Sequence, residues 1–278
     1  MDKNVGDYSG NGNNGTANSV TLSATDGKLG GAYTFSGSPS YISVGTGSSL
    51  DVINQLTVVA WIKPSSVSGY QRIFSYGGTA SDPNKYSLLL SDNTLTYQIN
   101  SAGHTNTSTA TLATGNWYLV ALTYSDADNN ATVYVNNVGR SFTETGSLSA
   151  VSETGWIGVS SGATTTQNFS GVIDEVAVYN RKLTSQELSN LYSLSSGTYY
   201  WKVQATDGTD TNNSATRSFV VGSTNGTLTF SIANPSADSN TSVNNLTNFL
   251  VSGTTTCNTN NCGDVNTTLQ YCVGAGCT

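Results

Sequence analysis

Three groups of residues in this chain have the types and spacing for chemistry. The first lies in Asp7-Tyr-Ser-Gly-Asn-Gly-Asn-Asn-Gly15, where Asp7, Ser9 and Asn11 alternate and Gly12 follows. Alternate oxygen-bearing side chains with glycine at the bend form the first half of a calcium loop. Asn18 stands where a bidentate glutamate would close it, so this is not an EF-hand. The second is Asp174, in Gly171-Val-Ile-Asp-Glu-Val-Ala-Val-Tyr-Asn180. A period of two puts Asp174 on one face with Val172, Val176 and Val178, and Ile173, Glu175, Ala177 and Tyr179 on the other. A carboxylate among valines must be neutralised, fully hydrogen-bonded or metal-bound. The loop lacks a carboxylate and Asp174 lacks a partner. One expectation is therefore Ca²⁺ held by Asp7, Asn11, Asp174 and backbone carbonyls around Asn13, with a dissociation constant on the order of 10⁻⁴ to 10⁻³ M. The other is a plain Asn/Gly turn, with Asp174 bonded to backbone amides.

The third group is Cys257, Cys262, Cys272 and Cys277, spaced C-x4-C-x9-C-x4-C. Zinc knuckles use tighter C-x2-C spacing with His or basic neighbours, whereas these cysteines sit among Asn, Gly and Thr. Two local disulfides, Cys257–Cys262 and Cys272–Cys277, are the favoured reading, and the other pairings stay open. Aromatics form a looser set. Trp61 and Trp117 are expected to fill a core, while Tyr70, Tyr76, Tyr97 and Trp156 are candidates to stack on a sugar ring. His104, the only histidine, has no acid or nucleophile beside it.

The elements that position these residues are strands. Short apolar or alternating runs broken by Gly, Asn, Asp and Ser predict strands near 17–23, 31–36, 40–44, 56–63, 71–76, 85–91, 94–99, 108–112, 117–124, 131–136, 138–143 and 155–160. Asp92-Asn93 and Asn136-Asn137 read as two-residue turns. After the strand containing Asp174, Thr184 and Glu187 form a capping box, Leu183 and Leu188 a hydrophobic staple, and Leu188, Leu191 and Tyr192 an apolar stripe. This predicts one short helix. So many strands with a single helix imply two packed antiparallel sheets.

At this helix the chain resembles a known family. F-x-G-x-I-D-E-V-x-V-Y-N-R-x-L-T-x-x-E-L, from Phe169 to Leu188, is similar to the closing strand and helix of laminin G-like domains of the concanavalin A-like lectin/glucanase superfamily. DYSGNGNNGT at 7–16, GKLGGAYTFSGSPSYISV at 27–44 with LTVVAWIKP at 56–64, and GNWYLVALTYSDADNNATVYVNN at 115–137 fit in the same order. The resemblance implies a jelly-roll β-sandwich over residues 1–194, and a structural calcium, which agrees with the Asp7 and Asp174 reading. Sugar-cleaving relatives carry acid and nucleophile on one strand in an E-x-D-x-x-E type arrangement, because the two must sit about 5 Å apart. This chain lacks the pattern, so a non-catalytic role is expected. Residues 195–223 resemble the last hairpin of a fibronectin type III or immunoglobulin-like domain. Residues 224–278 resemble the start of another such module, of the sort found on archaeal and bacterial surface proteins. The match also begins late, as if the sequence were a piece of a longer chain.

Composition agrees. Only 10% of residues are charged, and Asn, Ser, Thr and Gly take their place, which suits a β-rich protein at the cell surface. Net charge is −7, with no basic cluster, which argues against nucleic acid and anionic membranes as partners. Nor does any segment approach the ~18 apolar residues needed to span a bilayer. The expectation is an extracellular adhesion module that binds a glycan or a surface protein. The alternatives are a structural spacer or the accessory domain of a larger secreted enzyme.

Overall fold

Branched and aromatic residues alternating with hydroxyls bury one face of a pleated strand and leave the other polar, so paired runs of this kind stack into two layers. The computed structural model takes this form. It describes residues 4–77, 85–100, 107–144, 148–161 and 167–193, and beyond them the strands 197–206, 211–213, 217–221, 228–234, 237–243 and 266–273. Two compact units are present, Met1–Ser195 with Ser223–Asn225, and Ser196–Gly222 with Gly226–Thr278.

The first unit contains β1 (Thr16–Asn18), β2 (Thr21–Ser23), β3 (Ala32–Ser36), β4 (Tyr41–Ser43), β5 (Gln55–Pro64), β6 (Tyr70–Tyr76) and β7 (Tyr86–Ser91). It continues with β8 (Thr94–Ile99), β9 (Thr107–Thr111), β10 (Tyr118–Ser125), β11 (Asn130–Val135), β12 (Val138–Thr143), β13 (Gly155–Ile157), β14 (Ser170–Tyr179) and helix α1 (Ser185–Ser193). Sheet A has the order β1-β4-β13-β6-β7-β8-β9, and sheet B β12-β11-β10-β5-β14-β3-β2. All pairs are antiparallel, as expected of a jelly-roll sandwich. Between the sheets, Val58, Ala60 and Ile62 of β5 and Val120 and Leu122 of β10 meet Phe74, Leu88, Leu90 and Tyr97 from sheet A. The run expected as one strand over 17–23 is two. Ser19 takes a left-handed φ of 51°, so the chain leaves β1 in sheet A and enters β2 in sheet B. The strand expected over 155–160 stops at Ile157, because Gly158 turns the chain at φ 85°.

Strand β14 departs from a period of two. Asp174 lies opposite Trp61 and Ala177 opposite Val59, so two residues of β14 face the single Ala60 of β5. Glu175 takes the left-handed conformation at this bulge, φ 48°. The bulge reverses the expected faces. Ile173, Val176 and Val178 all pack on the core between the sheets, and Asp174 lies on the opposite, outer face of sheet B beside Trp61.

That outer face is covered by α1. Leu183 and Leu188 pack on Val59, Trp61, Leu119 and Ala121, and Trp61 stacks on Tyr192 at 5.8 Å. Trp61 and Trp117 therefore serve this outer layer instead of the space between the sheets, since Trp61 alternates with the inward Ala60 and Ile62. The capping box is present as read. Glu187 N donates to Thr184 Oγ1 (3.2 Å), and Thr184 N donates to Glu187 Oε2 (2.9 Å). Arg181 then grips the Glu187 carboxylate from both guanidinium nitrogens at 3.0 and 2.8 Å. This pair holds the Glu187 carboxyl down at about 2, with the Thr184 amide helping.

In the second unit, β15 (Gly197–Thr206) pairs with β17 (Arg217–Val221) and β16 (Thr211–Asn213) on one side and β20 (Asn266–Val273) on the other. β18 (Leu228–Asn234) and β19 (Ala237–Val243) form a separate two-stranded sheet.

Candidate functional site

With α1 covering the outer face of sheet B, the other broad surface of the sandwich is the outer face of sheet A. Register assembles one row of side chains across six of its strands: Thr16, Ser43, Trp156, Ser75, Ser87 and Gln98 stand directly opposite one another from β1 to β8. All are hydroxyls or amides except the tryptophan. Trp156 is half-buried and meets the half-buried Tyr41 edge-on at 5.5 Å, while Tyr41 itself faces Asn18 of β1. An aromatic pair flanked by hydroxyl and amide groups can stack on a sugar ring and bond its hydroxyls.

The row has two halves. Thr16 is exposed and Ser43 and Trp156 are half-buried, whereas Ser75, Ser87 and Gln98 are buried, Ser75 beneath the chain that leaves β13. Ser75 Oγ donates to Val159 O (2.7 Å) and Ser160 O (3.0 Å). Arg72, 0% exposed, ties Gln167 to the sheet. Its backbone N–H donates to Gln167 O (2.8 Å) and its Nε to Gln167 Oε1 (2.8 Å). Its Nη1 reaches Ser87 Oγ (2.5 Å) and Gln98 Oε1 (2.8 Å). A planar fork can bond the sheet and Gln167 at once, which a lysine cannot reproduce.

Of the aromatics proposed from sequence, Trp156 lies at the centre of this row. Tyr70, 45% exposed, stands on the same face of β6, roughly 15 Å along the strand from Ser75. Tyr76 and Tyr97 do not offer a face to a sugar. Both point between the sheets, Tyr76 stacked on Tyr86 at 5.3 Å and Tyr97 against Phe142, because the alternation of β6 and β8 turns them inward. Tyr41 and Arg72 were missed in the sequence. Tyr41 is legible only as an aromatic at a strand start, and Arg72 only as a cation in an otherwise apolar run.

The Asp7 loop forms a tight Asx-type turn. Asp7 Oδ1 accepts from Ser9 N (2.8 Å) and Oδ2 from Asn13 N (2.8 Å), and Asp7 N donates to Asn14 Oδ1 (2.9 Å). Burial works to raise the Asp7 carboxyl, but the bonds from Ser9 and Asn13 outweigh it and the pKa falls below the ordinary value. Asn11 Nδ2 turns back to Ser9 Oγ (3.0 Å) and Asn13 Nδ2 donates to Ser49 Oγ (2.8 Å), leaving Asn13 Oδ1 buried without a donor. Asp174, fully buried, accepts from Leu29 N (3.1 Å) and Glu175 N (2.9 Å). Among the described residues no hydrogen bond links Asp174 to the loop, and no three His, Cys, Asp or Glu side chains converge. Cys257, Cys262, Cys277 and His104 lie outside the described residues, and Cys272 is placed only by its backbone in β20.

Residues 35–189, more than half of the chain, match the family described as the concanavalin A-like lectin/glucanases superfamily. The chain belongs to that superfamily. Solved structures of the same fold include domain 4 of AbnA, a GH43 extracellular arabinanase from Geobacillus stearothermophilus, solved with arabinotriose. It is 22% identical, with a TM-score of 0.52, over 68% of this chain and 93% of that one. The binding domain of botulinum neurotoxin serotype G is 14% identical, with a TM-score of 0.50, over 71% of this chain and 53% of that one. No curated protein matches by sequence. No helix among the described residues of this superfamily member is long and apolar enough to cross a membrane.

Proposed function

We propose that this superfamily member is a non-catalytic, extracellular carbohydrate-binding module that presents the outer face of sheet A to a glycan. The observation that carries the reading is the partly exposed Tyr41–Trp156 pair among Thr16, Asn18 and Ser43, on the sheet face that α1 leaves uncovered. Domain 4 of the Geobacillus arabinanase, a module of the same fold, was solved holding arabinotriose, in keeping with a glycan ligand. The test is a glycan-array screen of the full chain, run in calcium and again in chelator. Binding that Trp156→Ala abolishes supports the reading. Silence in both conditions from folded protein refutes it and turns attention to a structural spacer or a protein ligand.

The proposal includes a weak structural calcium site at the Asp7 loop. The Asp7 carboxylate and the unpartnered Asn13 Oδ1 are the fitting donors, with Asn11 beside them and Asp174 held separately on sheet B. Bound there, the ion would tie the loop to the turn at residues 47–50 between β4 and β5, which Asn13 already reaches through Ser49.

A further inference from the structure

We infer that the site recognises the end of an uncharged glycan chain and does not bind along its middle; this rests on the carbohydrate-binding reading above. The row Thr16–Ser43–Trp156–Ser75–Ser87–Gln98 would by itself accept a long saccharide lying across the strands, since its side chains are all hydrogen-bonding or aromatic. Only the first three are open. Immediately beyond Trp156, Ser75 spends its hydroxyl on Val159 O and Ser160 O, and Gly158 N bonds Ile73 O at 3.1 Å. Residues 158–160 are thereby seated on β6 as a wall, and Arg72 of the same strand separately holds Gln167.

On the other side of Trp156 the row runs out over β1, the edge strand of sheet A, and among the described residues no strand pairs beyond it. The open half spans β1, β4 and β13, about 10 Å at the usual strand spacing, which is room for about two sugar rings. A chain entering over β1 must stop against the wall with its terminal ring at Trp156. The open half also carries no charge, its members being Thr16, Asn18, Tyr41, Ser43 and Trp156. A chain of net charge −7 further disfavours an acidic sugar.

The experiment titrates the full chain with neutral arabino-, gluco- and galacto-oligosaccharide ladders of one to six units, and with one sialylated oligosaccharide. Tryptophan fluorescence and calorimetry are the readouts. The expected result is affinity that rises to two or three units and then changes less than twofold per added unit. Trp156→Ala should lose at least tenfold and Tyr41→Ala several-fold. Ser75→Ala, which removes the hydroxyl that seats Val159 and Ser160 without touching the open half, should move the plateau to longer chains. Affinity that climbs steadily through six units overturns chain-end recognition while leaving the carbohydrate reading intact. Ladder binding insensitive to both Trp156→Ala and Tyr41→Ala overturns the placement of the site. Binding to the sialylated probe alone overturns the uncharged ligand class, and no binding to any probe overturns both this inference and the proposed function.

Discussion

Replacing Leu188 by alanine tests whether the outer face of sheet B is as firmly occupied as a site on sheet A requires. Leu188 is 1% exposed and is the one fully buried residue of α1, seated on Val59, Trp61, Leu119 and Ala121. Truncation removes three carbons, about 2.4 kcal/mol at roughly 0.8 kcal/mol per buried methylene, and leaves a cavity that adds to the loss. The half-buried Tyr179, Leu191 and Tyr192 can relax into part of that space, so we take about 3 kcal/mol as the expected cost. For a unit of this size that lowers Tm by roughly 6–12 °C. The assay is thermal unfolding followed by near-UV circular dichroism, which reports the Trp61–Tyr192 stack directly. A Tm within about 2 °C of the native protein, equivalent to under 1 kcal/mol, would refute the packing of α1 on sheet B.

Trp156→Ala is expected to change Tm by no more than a few degrees while abolishing glycan binding, because the ring is only half-buried on the outer face; calorimetry on the same preparation checks both. Thr184→Ala removes the cap of α1 and should cost about 1 kcal/mol, read as a shift of the urea midpoint. Glu187, whose carboxyl is held at about 2 by Arg181, contributes stability that is present above its unfolded value of 4.5 and is lost as pH falls through about 2. Its side chain is 39% exposed, so screening leaves at most about 1 kcal/mol, and the Tm gap between native protein and Glu187→Gln should be wider at pH 6 than at pH 2. Asn136 holds φ at 56° in the β11–β12 turn and accepts Leu119 N at 3.1 Å. Asn136→Ala should cost about 1–2 kcal/mol, and Asn136→Gly, which keeps the backbone, less. If the Asp7 loop holds calcium, Tm in millimolar calcium should exceed that in chelator, and Asp7→Asn should erase the difference.

Much of this protein is local and therefore readable from residue order. Alternation of apolar and hydroxyl residues marks β6 to β8 and β10 to β12 within a residue or so, since each strand's burial pattern is set by its own pleat. Thr184, Glu187, Leu183 and Leu188 announce α1 because capping and stapling are interactions within one turn of chain. The Asp7 turn is likewise closed by its own amides. What the order of residues does not contain is which strands become neighbours and where a ladder slips. The single extra residue at Glu175 sends Asp174 to the outer face and Val176 to the core, and only pairing with β5 reveals it. The inward turn of Tyr76 and Tyr97 and the outward turn of Trp156 follow from which sheet face meets the other layer, a choice made by packing. The row draws on six strands scattered in sequence from Thr16 of β1 to Trp156 of β13, and it exists only because antiparallel register sets them side by side.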